Sequence, residues 1–399
     1  MKVLIFAHVP PPHHGQSYLV QLLLEAFGGD HSKGEGITNH YGIECYHVDA
    51  RFSQGMEDIG RFRIGKLIQL FGYCFQAIRL GIRHQIDTFY YIPAPALKNA
   101  IRRDWLIMLL CRPFFKYVVL HWHAAGLGGW MQKEASGIEK ALTMRALGKA
   151  RLSIVTAKFS MTEGEAFFSK ETKVVLNGIP DPCPNFDQEV LPLRQQRMAM
   201  IKETLLNGGN SETMIQVGYL GLCSRDKGLL DTVKGIALAN EQLRALHSPF
   251  RMQFKVAGKF LNDIEKMEYD QLVAELHLEG MVQHVGFLYG EEKLRFFKGL
   301  DLFCFPTFYF AESFGLILLE AMAWGVPVVT TKWRSIPEVL PAGYGGLVDI
   351  CAPKQIASSL IRMMSQDVGR DLRKHFLQNY FIERHFAGMA AALKSIEAK

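Results

Sequence analysis

The sequence has 399 residues, more than one ordinary hydrophobic core holds, so we expect two domains of roughly 200 residues each with a cleft between them. Hydrophobic residues make up 49% of the chain and charged residues 21%, which is typical of a globular protein and excludes disorder or a fibre. Its net charge of +6 is uneven, because residues 1–180 hold 21 Lys and Arg against 14 Asp and Glu, whereas the rest holds 24 against 25. We expect a basic surface on the N-terminal half.

The seven cysteines are widely spaced and form no CxxC pair. This pattern argues against a disulfide framework and against a zinc site, and it favours a cytoplasmic location.

The chain opens with a short apolar run followed by three prolines, which we interpret as a buried strand and not as a signal peptide. A helix is predicted over residues 15–27. Gly15 and Gln16 lie at its start, where the backbone must approach a ligand closely. No GxGxxG motif follows the strand, which argues against an NAD dehydrogenase. The adjacent His13 and His14 lack the spacing of metal ligands, so no metal site is predicted.

Residues 61–84 have apolar positions at helical spacing, interspersed with the basic residues Arg61, Arg63, Lys66, Arg79 and Arg83. Two interpretations stay open. The segment is a solvated helix face, or it adheres to anionic lipid headgroups or an acidic acceptor. No stretch of the chain reaches the roughly 20 apolar residues of a membrane-spanning helix.

Strand-like runs alternate with helical stretches along the whole chain. The runs are residues 2–9, 43–49, 88–93, 116–123, 152–157, 173–179, 214–222, 253–258, 282–288, 300–306, 325–331 and 345–349. This alternation predicts an α/β fold with two Rossmann-like domains, each a parallel sheet covered by helices. The proline-rich loop at 177–187 suggests domains over residues 1–184 and 185–375, with a C-terminal helix at 376–399 that packs back on the N-terminal domain.

The strand at 116–123 ends in two histidines, His121 and His123. Because side chains alternate along a strand, one of them emerges at its carboxyl end, and the residues alone leave open which. A zinc interpretation lacks a third ligand.

The loop after the strand at 214–222 contains a second candidate for a functional residue. The strand's end at Gly221 precedes a helix that begins near Gly228, with Lys227 at the junction. A cation at this place would neutralise a diphosphate leaving group.

The stretch 300–329 runs from an apolar strand through a loop into a helix that opens at Ser313, Phe314 and Gly315. A helix start at the carboxyl end of a parallel strand offers free N–H groups and the positive end of the helix dipole, which predicts a phosphate site. Two carboxylates, Glu312 and Glu320, flank this start. Each would accept hydrogen bonds from sugar hydroxyls, one from a hexose and the other from a ribose.

This stretch resembles the donor-binding segment of retaining glycosyltransferases of the GT-B fold, especially glycosyltransferase family four. The family pattern is a proline, a short loop, Glu-x-Phe-Gly, then Glu-Ala-x-Ala-x-Gly-x-Pro-Val-Val and later Ile-Pro-Glu. This chain has Pro306, ESFG at 312–315, EAMAWGVPVV at 320–329 and IPE at 336–338.

The resemblance implies a donor pocket. Glu312 would contact the transferred sugar and Glu320 the ribose, while the amides of Phe314, Gly315 and Leu316 would receive the donor phosphates. Family members also carry an Arg directly after the glycine of the earlier loop and a Lys five residues later.

Here Lys227 is in register with that lysine, but Leu222 occupies the arginine position, so Arg225 is the candidate substitute. The strands that border the nucleotide base correspond to residues 253–260 and 283–297. The contact points that the resemblance implies are Gly258 and the backbone of Phe287 and Leu288.

In the N-terminal half, the resemblance places the loop of Gly15 and Gln16 opposite the donor phosphates. It also places a functional histidine at the end of the strand at 116–123, in contact with the donor sugar. His123 fits this position better than His121.

These features predict a retaining hexosyltransferase that uses a nucleoside diphosphate sugar as co-substrate, with His123, Glu312 and Lys227 as catalytic residues. The sequence contains no Asp-x-Asp motif, so we expect neither a metal nor another cofactor. The expected acceptor is a glycan, a lipid-linked molecule or a small molecule. We expect a cytoplasmic protein that contacts the inner face of an anionic membrane and binds no nucleic acid. Two alternatives remain: a sugar-nucleotide epimerase or hydrolase, and a catalytically silent nucleotide-sugar-binding protein.

Overall fold

The computed structural model describes residues 1–11, 15–34, 36–52, 64–208 and 212–397. It divides the chain into unit 1 (Met1–Asn177 and Glu383–Lys399) and unit 2 (Gly178–Ile382). The division therefore falls earlier than the predicted boundary after residue 184, and residues 376–382 belong to unit 2. Contacts within unit 2 explain both differences, since Ile179 pairs with Phe381 and Asp181 binds Arg373.

The strands of unit 1 are β1 (Lys2–Ala7), β2 (Glu44–Asp49), β3 (Thr88–Tyr91), β4 (Tyr117–Trp122), β5 (Leu152–Val155) and β6 (Thr172–Val174). The strands of unit 2 are β7 (Thr213–Leu220), β8 (Phe250–Ala257), β9 (Val282–Gly286), β10 (Leu302–Phe305), β11 (Val328–Thr331) and β12 (Leu347–Val348).

The helices of unit 1 are α1 (Gly15–Ala26), α2 (Ile64–His84), α3 (Lys98–Cys111), α4 (Leu127–Lys133), α5 (Gly137–Leu147) and α6 (Met161–Ala166). The helices of unit 2 are α7 (Leu191–Asn207), α8 (Leu229–Ala245), α9 (Asp263–Glu275), α10 (Glu291–Lys298), α11 (Leu316–Ala323), α12 (Ile336–Val339), α13 (Pro353–Met363) and α14 (Gly369–Asn379). Helix α15 (Ile382–Lys394) follows, and all of it except its first residue belongs to unit 1.

The described part of unit 1 contains one parallel sheet with the strand order β2-β1-β3-β4-β5-β6. Because successive side chains point to opposite faces, each strand supplies two cores. Leu4 and Phe6 of β1 pack with buried residues of α2 and α3. Val3 and Ile5 pack on the other face with α1 and α15. Unit 1 is thus a doubly wound α/β unit.

The described part of unit 2 contains a second parallel sheet, ordered β12-β11-β10-β7-β8-β9. The chain adds β8 and β9 on one side of β7 and then β10 to β12 on the other. In doubly wound sheets a ligand binds at the carboxyl ends of the strands beside such a switch point, here between β7 and β10. The prediction of two Rossmann-like α/β domains is confirmed.

The C-terminal tail forms two helices, α14 and α15, which separate at Tyr380 and Phe381. The break follows from the pairing of this segment with the start of unit 2, where the Ile179 N–H donates to the Tyr380 carbonyl oxygen over 3.0 Å. After the break, Met389 and Leu393 of α15 are buried in the core of unit 1. Within the described ranges, none of the helices has both the length and the apolar character required to cross a bilayer.

Candidate functional site

The loops that follow β7 and β10 meet at the switch point of unit 2. Lys227 comes from the first loop and Glu312 from the second. The Lys227 Nζ lies 2.7 Å from the Glu312 Oε2, and only 17% and 11% of the two side chains are exposed. The structure thus brings together two residues that the sequence analysis selected separately, 85 positions apart.

Two neighbours on the β10 loop complete this ion pair. The Thr307 hydroxyl donates to the Glu312 Oε2 over 3.3 Å, and the Lys227 Nζ lies 4.3 Å from the centroid of the Tyr309 ring. A partly buried ion pair is favourable when further polar or aromatic contacts support it. Sequence reasoning missed Thr307 and Tyr309, although both lie inside the loop that it had singled out.

The segment that follows β11 holds the β10 loop in place. The indole N–H of Trp333 donates to the Tyr309 carbonyl oxygen over 2.9 Å, and the Ser335 hydroxyl donates to the Ser313 carbonyl oxygen. These bonds fix the loop backbone on both sides of Glu312. The carboxylate is therefore positioned by the fold before any ligand binds.

Helix α11 begins at Leu316, slightly later than predicted, because Gly315 adopts a left-handed conformation with φ 74°. A Cβ at Gly315 would be strained and would lie 3.0 Å from the Ile336 side chain. The Leu318 N–H donates to the Gly315 carbonyl oxygen over 2.9 Å. The first amides of a helix have no acceptor within the helix, so Gly315 and Leu316 stand where an anion would bind.

The two residues before Gly315 anchor this helix start. Phe314 is buried, and its ring packs edge-on against Tyr380 with the centroids 5.7 Å apart. Ser313 is also buried. The two residues thus anchor the start of α11 to the rest of unit 2.

Glu320 lies further along α11 and forms an ion pair with α10. Its Oε2 is 2.6 Å from the Lys293 Nζ, and 18% of the Glu320 side chain is exposed. Burial raises the pKa of Glu320, and the positive charge of Lys293 opposes that rise. Sequence reasoning missed Lys293, although this residue lies inside the segment 283–297 that was matched to the border of the nucleotide base.

Glycines lie at the carboxyl ends of three neighbouring strands, where Gly221 follows β7, Gly258 follows β8 and Gly286 is the last residue of β9. Gly258 has φ 136°, and a Cβ at this position would lie 1.8 Å from the Gly221 carbonyl oxygen. The Gly258 N–H donates to the Gly286 carbonyl oxygen over 2.8 Å. Only glycine permits this close approach between the strand ends.

The residues predicted to border a nucleotide base follow β9. Phe287 is 54% exposed and Leu288 is half-buried. The Lys259 Nζ lies 5.5 Å from the centroid of the Phe287 ring. An exposed aromatic face at the carboxyl end of a strand is available for stacking.

Arg225 has different partners from Lys227. Its guanidinium lies 2.8 Å from the Glu268 carboxylate of α9, and its backbone N–H donates to the Glu265 carboxylate over 2.9 Å. Two carboxylates of α9 therefore hold the residue, and 63% of its side chain is exposed. The structure does not join Arg225 to the pair of Lys227 and Glu312, and its action on a diphosphate stays a prediction.

In unit 1, the two histidines at the carboxyl end of β4 have different surroundings. His121 is buried. Its Nδ1 contacts the Tyr90 hydroxyl and lies 3.1 Å from the His123 Nε2. Burial lowers the pKa of His121 well below its ordinary value, with further lowering from His123 and His385. His121 is thus a neutral core residue, whereas the half-buried His123 follows the last residue of β4.

A buried carboxylate shapes the loop after His123. The Glu163 carboxylate accepts hydrogen bonds from the Gly126 N–H and, over 2.8 Å, from the Gly128 N–H. Sequence reasoning missed Glu163 because no spacing connects it with this loop. It orders the start of α4 next to the predicted functional histidine.

Gly15 is exposed at the start of α1, and Gln16 is half-buried beside it. His13 and His14 lie outside the described residues. Within the described part of the chain, no group of three or more His, Cys, Asp or Glu side chains is arranged to hold a metal ion.

Two doubly wound α/β units, each built on its own parallel sheet, are the architecture of the GT-B fold class. Residues 208–380 match the family model described as glycosyl transferases group 1. The resemblance inferred from the sequence is confirmed over this segment, which contains the Lys227–Glu312 pair and α11.

Several relatives match parts of the chain. The O-antigen chain mannosyltransferase B of Escherichia coli is 35% identical over 103 residues, which cover 26% of this chain and 26% of that protein. The D-inositol 3-phosphate glycosyltransferase of Corynebacterium jeikeium is 28% identical over 162 residues, 39% of this chain and 36% of that protein. The chain therefore matches only about a quarter to two fifths of these relatives' length.

Solved structures are similar over nearly the whole chain. Sucrose-phosphate synthase from Thermosynechococcus elongatus has a TM-score of 0.68 at 16% identity, covering 100% of both chains. HepE from Anabaena, in a complex with UDP and glucose, has a TM-score of 0.64 at 18% identity, covering 98% of this chain and 99% of that chain. At such identities the likeness shows the fold.

Proposed function

We propose that this protein is a retaining glycosyltransferase that moves a hexose-type sugar from a nucleoside diphosphate sugar to a glycan, a lipid-linked molecule or a small molecule. The proposal includes independence from metal ions and other cofactors, and peripheral contact of the basic N-terminal half with an anionic membrane. The observation that carries it is the Lys227–Glu312 pair beside the start of α11 at the switch point of unit 2.

A donor diphosphate suits this place because it would find positive charge from two sources, the Lys227 ammonium and the first amides of α11. As the phosphates bind Lys227, Glu312 exchanges its partner for a hydroxyl of the transferred sugar. Glu320 accepts from the ribose hydroxyls in the same way. The complex of HepE with UDP and glucose supports a UDP-sugar as the donor.

In the proposed reaction, the bond from the anomeric carbon to the diphosphate breaks while a bond to the acceptor oxygen forms on the same face of the sugar. The acceptor proton passes to an oxygen of the leaving diphosphate, so no side chain acts as a strong base. Lys227 and the helix amides stabilise the negative charge that grows on the leaving group. His123 contacts the donor sugar.

A panel of nucleoside diphosphate sugars tests the donor. The matching compound should raise the unfolding temperature, because a ligand at 100 times its Kd adds about 2.7 kcal/mol of stability. It should also be hydrolysed slowly without an acceptor. Stabilisation without any hydrolysis or transfer would identify a silent binder, and full-rate consumption without an acceptor would identify an epimerase or hydrolase. No stabilisation by any compound would refute the proposal.

The silent-binder alternative has one specific observation in its favour. Leu222 occupies the place where the family carries an arginine, and Arg225 is engaged by Glu268. Fewer basic side chains would therefore contact the diphosphate leaving group than in the family. A measurement of sugar transfer distinguishes the enzyme from the silent binder.

Substitutions separate the roles of the central pair. Glu312→Ala should reduce turnover about 100-fold or more while nucleotide affinity stays nearly intact, because Glu312 contacts the sugar. Lys227→Met should weaken nucleoside diphosphate affinity about tenfold to hundredfold, because a charge-assisted bond is lost. Calorimetry with the nucleoside diphosphate and a turnover assay measure both effects.

Lys266→Met, which removes an exposed lysine on α9, is the matched control and should behave like the wild type. Wild-type turnover in Glu312→Ala would show that Glu312 does not contact the transferred sugar.

A further inference from the structure

Helix α2 presents a row of large apolar side chains to solvent. Spacings of three, four and seven residues place these side chains on one face of the helix. The members of this row, termed the apolar stripe, are Ile68, Phe71, Phe75 and Ile82, which are 69%, 52%, 68% and 65% exposed. The opposite face of α2 is buried in the core of unit 1. A contiguous exposed apolar face of this kind marks an interaction surface.

The charged side chains of α2 itself are all basic. Helix α2 contains no Asp or Glu over its 21 residues. Arg79 and Arg83 are exposed and lie next to the stripe on the helical wheel. An amphipathic helix with arginines beside an apolar face of Phe and Ile is typical of a helix that lies in a membrane interface.

A basic groove adjoins α2. The Phe115 ring, which lines the groove, lies against α2, since a Cβ at Gly81 would be 2.9 Å from it. The groove measures about 1000 Å³, and none of the described residues that line it is acidic. Its cations are Arg112, Lys116, Arg145, Lys149, Arg151 and Lys170. Together with the arginines of α2 they give this part of unit 1 a positive potential.

We propose that the apolar stripe docks onto an anionic phospholipid bilayer. The stripe enters the boundary between headgroups and acyl chains, Arg79 and Arg83 bind headgroup phosphates, and the groove adds attraction at longer range. A second copy of the chain fits less well, because a symmetric pair would bring like charges together. The inference deepens the proposed membrane contact by naming its surface, and it rests on the proposed function only for the lipid-linked acceptor.

Vesicle flotation with the full chain tests the surface. Wild-type protein should bind vesicles of phosphatidylcholine with phosphatidylglycerol more tightly than pure phosphatidylcholine, and added salt should weaken the binding. The double variant Phe71→Ser with Phe75→Ser should lose at least about tenfold in affinity, because two rings that would enter the bilayer are removed. Arg79→Gln with Arg83→Gln should lose about fivefold for each charge on the anionic vesicles.

The matched control is Ile264→Ser with Met267→Ser on α9 of unit 2, where both side chains are similarly exposed at 68% and 69%. This control should bind vesicles like the wild type. All substituted side chains are exposed, so circular dichroism and the unfolding temperature should stay unchanged, which confirms that each variant is folded.

Three results would overturn the inference. They are no binding of the wild type to anionic vesicles, equal binding by the phenylalanine variant, and gel filtration in which the wild type elutes as a dimer and the phenylalanine variant as a monomer. Thermal stabilisation by inorganic phosphate without vesicle binding would assign the groove to a soluble anion and also overturn it. Donor hydrolysis in solution is measured in parallel. Hydrolysis without vesicle binding refutes the docking surface alone, and vesicle binding without any donor use refutes the proposed transferase alone.

Discussion

Each carboxylate predicted to grip a sugar hydroxyl already binds a lysine. Glu312 holds Lys227, and Glu320 holds Lys293. Partly buried carboxylates need such partners, because removing a charge from water without compensation is costly. A ligand that binds here must replace these contacts with its own hydroxyls and phosphates. The two pairs thus neutralise the charges of the site and order its side chains.

The Lys293→Met substitution tests the second pair through pH. Burial already raises the pKa of Glu320, and loss of the lysine should raise it further. Because the folded-state pKa lies above the unfolded one, the folded state binds more protons, and the free energy of unfolding falls as pH rises above about 4.5. The variant should therefore lose about 1–2 kcal/mol more at pH 8 than at pH 5. Urea unfolding at both pH values measures this difference.

The double variant Glu320→Gln with Lys293→Met is the control, since it has no carboxylate left to titrate. Its loss should be the same at both pH values. An equal loss at pH 5 and pH 8 in Lys293→Met itself would show that Lys293 does not stabilise the ionised carboxylate.

At the scale of elements, the ends of β7, β8 and β9 depend on backbone contacts that exclude side chains. Gly258 contacts both neighbouring strand ends, since its Cα faces the Gly221 carbonyl oxygen and its N–H donates to the Gly286 carbonyl oxygen. The same strand ends lead into the loops of Lys227 and Phe287. A local distortion there would move both the charged and the aromatic part of the site.

The Gly258→Ala substitution should therefore be severe. The new Cβ would meet the Gly221 carbonyl oxygen at 1.8 Å, at a φ of 136° that other residues rarely adopt. We expect a loss of at least about 3 kcal/mol in the free energy of unfolding and a weaker affinity for nucleotide. Urea unfolding and calorimetry measure the two effects.

Gly280→Ala serves as the matched control, because a Cβ there would meet nothing within 4 Å. It should change stability by about 0.5 kcal/mol at most. Equal free energies of unfolding in the two alanine variants would show that the close approach at Gly258 does not affect stability.

At the scale of the whole chain, a bidentate ion pair ties the first residues of unit 2 to its last helix. The two Arg373 guanidinium nitrogens lie 2.6 Å and 2.5 Å from the Asp181 oxygens, and they also donate to the Ala323 and Cys183 carbonyls. Both side chains are largely buried. This link explains why unit 2 begins before the proline-rich loop ends.

The Asp181→Asn substitution leaves the Arg373 charge buried without its counterion. We expect a loss of about 3–5 kcal/mol in the free energy of unfolding. The exposed pair of Lys266 and Asp270 on α9 provides the comparison, and Asp270→Asn should cost less than about 1 kcal/mol. Chemical denaturation measures both, and equal small losses would show that unit 2 does not depend on the buried pair.

The sequence alone determined the local features of this protein. Apolar runs and their alternation with helical stretches located the strands of both sheets, because period and composition are properties of short segments. The motif around α11 and the Lys227 position were found in the same way. The start of α11 was missed by a small margin, since the left-handed Gly315 ends the loop later than propensity suggests.

Only the tertiary structure decided which of these residues meet. Strand order places β7 beside β10, and this brings Lys227 to Glu312 across 85 positions. It likewise buries His121 in the core and divides the C-terminal tail between the two units. Short segments do not encode such partners, because a side chain's charge environment depends on which distant strands and helices pack around it.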